Sequence, residues 1–130
     1  MNRRHYDKLL DIIQELKELS SEVPVIVEGI KDEKSLRHLG IDGEIFKVQT
    51  AASVLEFCDN LAAKYREVVL FTDLDSAGKK IGRNVKKYLT DKGVKINDNI
   101  AKRLMYTLDT VEAEKVFKRF EKVYQKFNSP

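Results

Sequence analysis

Residues 68–78 read Val-Val-Leu-Phe-Thr-Asp-Leu-Asp-Ser-Ala-Gly, and this stretch decides the expected fold. Four apolar residues typical of a strand lead into two carboxylates, Asp73 and Asp75, and then into a sequence that can open a helix. In extended backbone, residues two apart point to the same side, so both carboxylates can face one site. Carboxylates held this close repel each other and usually acquire a proton or a metal ion. An oxygen-binding divalent cation such as Mg2+ is the natural partner.

A second apolar run ends in the same way. Residues 24–29 read Pro-Val-Ile-Val-Glu-Gly, so that Glu28 follows a strand, Gly29 frees the turn after it, and Asp32 comes three residues later. In an open parallel sheet the carboxyl ends of the strands lie at one edge, which is where such folds bind ligands. We therefore expect Glu28 and Asp73 to lie close together.

These two motifs resemble those of the toprim domain, which topoisomerases, bacterial primases and small ribonucleases of the M5 type share. The match consists of Val-Glu-Gly-x-x-Asp at Val27 to Asp32, followed by Asp-x-Asp-x-x-Gly at Asp73 to Gly78. Each motif follows an apolar strand, and the ordered pair is fairly specific. The resemblance covers about residues 23–96 and is greatest to the small stand-alone toprim proteins of archaea and some bacteria.

The resemblance implies a magnesium site formed by Glu28, Asp73 and Asp75. It implies one or two Mg2+ ions, for which Mn2+ is expected to substitute, and a role for these acids in catalysis. In this interpretation Asp73 bridges the ions, Asp75 binds the second one, and Glu28 is a ligand or a general acid-base. Asp32 has two interpretations: it supports the ligands from behind, or it is only a first-turn acid favoured by the helix dipole.

The remaining sequence predicts an alternating α/β protein. We expect a three-layer, Rossmann-like toprim fold, with a central parallel four-stranded sheet, helices on both faces, and added N- and C-terminal helices. The predicted strands are residues 23–27, 44–48, 68–72 and 94–96, and the predicted helices are residues 3–19, 31–39, 50–63, 76–92, 98–106 and 109–127. Thr50 is the expected N-cap of the third helix, and Asp109 or Thr110 the start of the last. We expect one domain over residues 1–130, with its core at 23–96 and helical additions at 3–19 and 98–127.

Composition limits the possible classes of protein. A chain of 130 residues with 42% hydrophobic residues can bury a core without staples. The single cysteine excludes an internal disulfide and a cysteine-based zinc site, such as the zinc module that accompanies primases. No signal segment and no apolar run of membrane-spanning length is present, so we expect a cytoplasmic protein that does not bind membranes.

Simpler interpretations exist for most of these residues. Asp75 or Ser76 could cap the helix that follows, although a cap explains only one of the three acids. Gly29 and Gly78 could be ordinary turn and helix-start glycines, or their missing side chains could let a phosphate backbone approach the metal. The two roles are compatible for both glycines.

Positive charge is concentrated after the acidic strand. Residues 76–103 contain nine lysines and arginines against two acids, whereas the whole chain has a formal net charge of only +3. The candidate nucleic-acid contacts on this helix are Lys79, Lys80, Arg83, Lys86 and Lys87. The alternative is a solvated lysine-rich face.

The leading hypothesis is Mg2+-dependent phosphodiester chemistry on RNA or DNA. The expected activity is that of a metal-dependent nuclease, a hydrolase, with nucleotidyl transfer as the other reaction type. The alternative is a non-catalytic subunit that binds metal and nucleic acid within a larger RNA- or DNA-processing assembly, where a protein partner supplies specificity.

Overall fold

The computed structural model describes all residues, 1–130, and contains four strands and six α-helices. The strands are β1 (Val25–Val27), β2 (Ile45–Lys47), β3 (Glu67–Leu70) and β4 (Lys95–Asn97). The helices are α1 (Arg3–Ser20), α2 (Ile30–Leu39), α3 (Val54–Ala62), α4 (Ser76–Asp91), α5 (Asn99–Thr107) and α6 (Val116–Asn128). Short 3-10 turns occupy Val48–Thr50 and Ala113–Lys115. No helix combines the length and the apolar character needed to cross a membrane.

The four strands form one parallel sheet in the order β2-β1-β3-β4. The two strands that precede the acidic motifs, β1 and β3, are therefore central neighbours, with Ile26 opposite Leu70. The predicted parallel four-stranded sheet is confirmed. This strand order brings the carboxyl ends of β1 and β3 together at one edge of the sheet.

Helices cover both faces of the sheet, which explains why β1 and β3 are apolar at successive positions. Val25 and Val27 point into the larger core cluster, which contains buried residues of α1, α2 and α5. Ile26 points the opposite way, into a second cluster with buried residues of α3 and α4. Alternate residues of each strand thus enter different cores, and the predicted three-layer arrangement is confirmed.

The start of α3 differs from the prediction. The helix begins at Val54 instead of near Thr50, and its cap is Ser53, whose Oγ accepts from the backbone N–H of Glu56 at 3.1 Å. The hydroxyl of Thr50 instead donates to the carbonyl of Lys47 at 2.7 Å and closes the 3-10 turn. Thr50 and Ser53 are both residue types that cap helices and lie three positions apart in the sequence, and the prediction of Thr50 was wrong.

The last helix also starts later than predicted. Asp109 adopts a left-handed conformation with φ 54°, and the chain then runs extended and through a 3-10 turn before α6 begins at Val116. The carbonyl of Val111 accepts from the N–H of Leu74 at 2.7 Å, and this bond holds the segment in a non-helical path. The predicted start at Asp109 or Thr110 is therefore wrong because a contact with the acidic loop overrides local preference.

Candidate metal centre and adjoining basic groove

Glu28 and Asp73 meet where β1 and β3 end. The ladder between these strands continues through the N–H of Phe71, which donates to the carbonyl of Ile26 at 2.8 Å. One step further, the N–H of Asp73 donates to Oε2 of Glu28 at 2.9 Å. The Glu28 side chain thus takes the place of the next backbone carbonyl, and the expected proximity of the two acids is present.

Asp73 is fixed from two further sides. Its Oδ1 accepts from the backbone N–H of Ala113 at 2.8 Å. On its other flank lies Gly78, where an added Cβ would overlap the backbone carbonyl and the Cβ of Asp73. The missing side chain at Gly78 therefore allows the acidic loop to lie directly against the start of α4.

The surroundings of Asp73 oppose its negative charge. Burial raises the pKa of the Asp73 carboxyl to about 7, and the carboxylates of Glu28, Asp32 and Asp75 add to this effect, whereas the Ala113 N–H opposes it. A positive ion bound here would relieve this repulsion.

Asp75 is the N-cap of α4. Its Oδ1 accepts from the N–H of Gly78 at 2.8 Å, while the residue itself is exposed. The capping interpretation is thus present in the structure, and it leaves the second oxygen of Asp75 free.

Asp32 lies at the start of α2, only 8% exposed. Its Oδ2 accepts from the N–H of Gly29 at 3.0 Å, which is the bond expected of an acid in the first helical turn. Burial raises the pKa of this carboxyl, with smaller contributions from Glu28 and Glu114. Asp32 thus orients the turn that follows Glu28 and contributes negative charge to the same cavity.

A cavity at the sheet edge is lined by Glu28, Asp32 and Asp73, whereas Asp75 does not line it. Its wall contains Glu28, Gly29, Ile30, Lys31, Asp32, Gln49, Asp73 and Glu114. The sequence analysis missed Glu114, which lies in the 3-10 turn before α6, within the stretch predicted as the last helix. No motif marks this position, and only the docking of residues 110–115 against the acidic loop brings it here.

The donor set suits Mg2+ in its chemistry, because Mg2+ prefers carboxylate oxygens. Glu28, Asp73 and Asp75 each use one oxygen to bind a backbone N–H and keep the other for a different partner. No three acidic, histidine or cysteine side chains converge closely enough to hold one ion in their present positions. Side-chain rotation would be needed to close a coordination shell.

A basic groove lies on the other side of Asp73. Lys79, Arg83 and Lys86 of α4 form one wall, α5 contributes Lys102, and Asp73 and Leu74 stand at the same groove. The side chain of Asp98 lies between Lys86 and Lys102, at 3.2 Å and 3.4 Å from their Nζ atoms. Lys80 and Lys87 are exposed but do not line the groove, so the structure divides the predicted lysine track into two faces.

The floor of the groove depends on Gly82. An added Cβ at this position would stand 2.8 Å from Oγ1 of Thr72, a buried residue at the end of the acidic strand. Gly82 thus lets α4 approach the strand and leaves room between α4 and α5.

The fold and the site together define a three-layer α/β protein with acidic residues at the ends of two adjacent parallel strands. The chain belongs to the Toprim domain family, whose model matches residues 23–104. This confirms the family predicted from the two acidic motifs. The family assigns the chain a function related to metal binding and nucleic acids.

Two archaeal relatives and one solved structure show how far the similarity extends. The chain is 35% identical to a UPF0292 protein of Methanocaldococcus jannaschii over 74% of this chain and 75% of that protein. It is 36% identical to a UPF0292 protein of Pyrococcus horikoshii over 80% of this chain and 76% of that protein. A structure described as a putative protein from Aquifex aeolicus superposes with a TM-score of 0.71 and 27% identity, over 82% of this chain and 96% of that one. These names state no activity.

Proposed function

We propose that this protein carries out Mg2+-dependent phosphodiester chemistry on nucleic acid, as a small nuclease in RNA or DNA processing. One observation carries the proposal: Asp73 alone lines both the acidic cavity and the basic groove. A phosphate backbone held by the groove would therefore pass directly beside the carboxylates.

In this proposal Glu28, Asp73 and Asp75 hold the metal. Bound Mg2+ supplies positive charge that activates an attacking oxygen and stabilises a leaving one. The backbone N–H groups of Asp73, Ala113 and Gly78 orient the three carboxylates. Glu28 has one oxygen beyond its bond to Asp73, and that oxygen would hold or release a proton.

The groove would bind the substrate through its phosphates. Lys79 and Arg83 are exposed residues of the groove wall, and neither forms an ion pair with the chain's own acids. Lys86 is partly neutralised by Asp98, so we expect it to contribute less than the sequence suggested. Such contacts position a backbone without reading bases, so affinity should depend steeply on salt.

The direct test is a cleavage assay. Purified protein should cleave labelled single- or double-stranded RNA or DNA with Mg2+ or Mn2+, and Asp73→Asn should abolish cleavage. Asp91→Asn is the matched control. It makes the same chemical change at an exposed aspartate at the opposite end of α4 from the acidic motif. Absence of cleavage on every substrate, or cleavage that Asp73→Asn leaves intact, would refute the enzymatic proposal.

A second test separates the groove from the rest of α4. Replacing Lys79 and Arg83 by Gln should flatten the slope of log affinity against log salt by about 2, near one for each lost phosphate contact. Replacing Lys80 and Lys87 by Gln removes the same charge from the same helix but outside the groove. Equal effects of the two double variants would show a general positive surface instead of a defined groove.

One observation favours the non-catalytic subunit as a second candidate. Three acids do not converge, and the Ala113 N–H already binds Oδ1 of Asp73. In this case activity would appear only when a protein partner is added, and it would survive Glu28→Gln. Loss of activity in the Glu28→Gln variant would contradict the non-catalytic candidate and support a catalytic role for this chain.

A further inference from the structure

Tyr106 is the most exposed large apolar side chain of the protein, with 62% of its surface accessible. Its ring stacks on no other aromatic ring, unlike Tyr6, which stacks on Phe127 with ring centroids 4.4 Å apart. The apolar face of an aromatic ring that is exposed on a helix can stack against another flat group.

The position of Tyr106 relates it to the basic groove. Tyr106 follows Lys102 by four residues in α5, so the two side chains are neighbours on the same helical face. Lys102 lines the groove together with Asp73, and the ring therefore stands about one helical turn beyond the groove wall.

A second connection leads from Tyr106 to the acidic loop. Tyr106 lines a cleft together with Val111, whose carbonyl accepts from the N–H of Leu74. Leu74 lies between the two acids of the Asp-x-Asp motif. The segment on the other side of this cleft is thus held against the acidic loop by the hydrogen bond between Leu74 and Val111.

The clefts beside the ring contain Asp109 and Glu112 as well as basic residues, and Glu112 pairs with Lys115. Arg119 of α6 lines both of the clefts that flank Tyr106, and Lys122 lines one of them. Tyr106 thus has a basic residue on its own helix, Lys102, and another across both clefts, Arg119. Alternating cationic and aromatic side chains match the alternating phosphates and bases of a single strand.

We propose that this surface binds single-stranded nucleic acid, with the backbone in the basic groove and a base stacked on Tyr106. The proposal rests on the proposed function, because it assumes nucleic acid as the substrate. Stacking on an outward-pointing ring requires an unpaired base, since the bases of a duplex are already stacked within it. The same chemistry serves RNA and DNA.

A tryptophan reporter tests the contact itself. The chain contains no tryptophan, so Tyr106→Trp introduces a single indole at the proposed stacking position. In EDTA, which prevents cleavage, oligouridine or oligothymidine of about 12 nucleotides should quench its fluorescence strongly, and a duplex of the same length should not. Equal quenching by the duplex, or none by either strand, would overturn the proposal.

Affinity measurements with matched variants give the energetic test. Tyr106→Ala should weaken binding of the same single strands about 5- to 20-fold, the lower part of the range for one stacked base. Tyr106→Phe keeps the ring and should bind like the native protein. Tyr124→Ala is the control, because Tyr124 is 48% exposed on α6 and lines neither cleft.

The outcomes separate this inference from the proposed function. If Tyr106→Ala binds single strands normally while the Lys79 and Arg83 variant binds poorly, nucleic acid remains the substrate and the stacking role falls. If the native protein binds no nucleic acid at all, both proposals fail. If Tyr106→Ala loses only the binding of another protein, the exposed ring belongs to a protein interface, and the stacking proposal is overturned.

Discussion

Replacing Asp73 by asparagine should make the metal-free protein more stable at pH 8. At this pH the Asp73 carboxylate is charged, part-buried, and close to Glu28, Asp32 and Asp75. Asparagine removes the charge and keeps an oxygen in position to accept from the N–H of Ala113. The change therefore removes repulsion and preserves the hydrogen bond.

The sign of the pH dependence follows from the two pKa values. Burial raises the pKa of Asp73 to about 7 in the folded protein, whereas an aspartate in an unfolded chain titrates near 3.9. Between pH values of about 4 and 7 the folded state holds more protons than the unfolded state, so native stability falls as pH rises through this window. Below about pH 4 the Asp73 carboxyl is neutral in the folded and in the unfolded state. The stability advantage of the asparagine variant therefore disappears there.

The magnitude has an upper bound and a realistic value. The difference between the folded and unfolded pKa is about three pH units, equivalent to about 4 kcal/mol if it were expressed in full. Asp73 is only part-buried, and solvent screens its neighbours, so we expect a gain of about 1–2 kcal/mol in the free energy of unfolding at pH 8.

Urea unfolding followed by circular dichroism measures this difference at pH 8 and pH 4 in EDTA. Asp11→Asn is the control, since Asp11 is an exposed carboxylate on α1 that forms no ion pair. Added Mg2+ should stabilise the native protein more than the Asp73→Asn variant. A variant that is less stable than the native protein at pH 8, or a gain that persists at pH 4, would refute the reasoning.

Three further changes have defined outcomes. Gly78→Ala should lower the free energy of unfolding by about 1–2 kcal/mol in urea, because overlap with the Asp73 backbone outweighs the better helix propensity of alanine; unchanged stability would contradict the close contact. Glu114→Gln should weaken Mn2+ binding about 3-fold by calorimetry, whereas Glu112→Gln should not, because Glu112 pairs with Lys115 at 2.7 Å; equal effects would remove Glu114 from the site. Asp109→Gly should raise the free energy of unfolding, measured by thermal denaturation, by about 0.5–1 kcal/mol, because glycine adopts the left-handed φ of 54° without strain. A decrease in this free energy would show that the Asp109 side chain is needed.

Local sequence was sufficient for the parts of the fold that local chemistry determines. The apolar runs before Glu28 and Asp73 predicted two strands of a parallel sheet, and these strands are neighbours at its centre, covered on both faces. Gly93 directly follows the C-cap of α4 and has φ 81°, a left-handed conformation in which glycine commonly ends a helix. The two acidic motifs were expected at one sheet edge, and Glu28 and Asp73 share a hydrogen bond.

The path of the segment between α5 and α6 could not be predicted from local sequence, because contacts with residues distant in the chain determine it. Its residues carry a helical pattern, yet Val111 and Ala113 bind the backbone of Leu74 and the side chain of Asp73. The N–H of Phe117 then finds its acceptor in the hydroxyl of Ser35, 82 residues away, at the start of α6. No pattern of neighbouring residues specifies such partners, so the helix start was predicted too early and Glu114 was missed.

These same contacts give the C-terminal addition a place in the candidate site. The family match ends at residue 104, whereas the N–H that holds Oδ1 of Asp73 belongs to Ala113. A carboxylate whose one oxygen is fixed in this way loses rotational freedom before any ligand arrives, which reduces the entropic cost of binding one at the other oxygen. The segment that follows the family match therefore restrains Asp73, the residue that lines both the acidic cavity and the groove between α4 and α5.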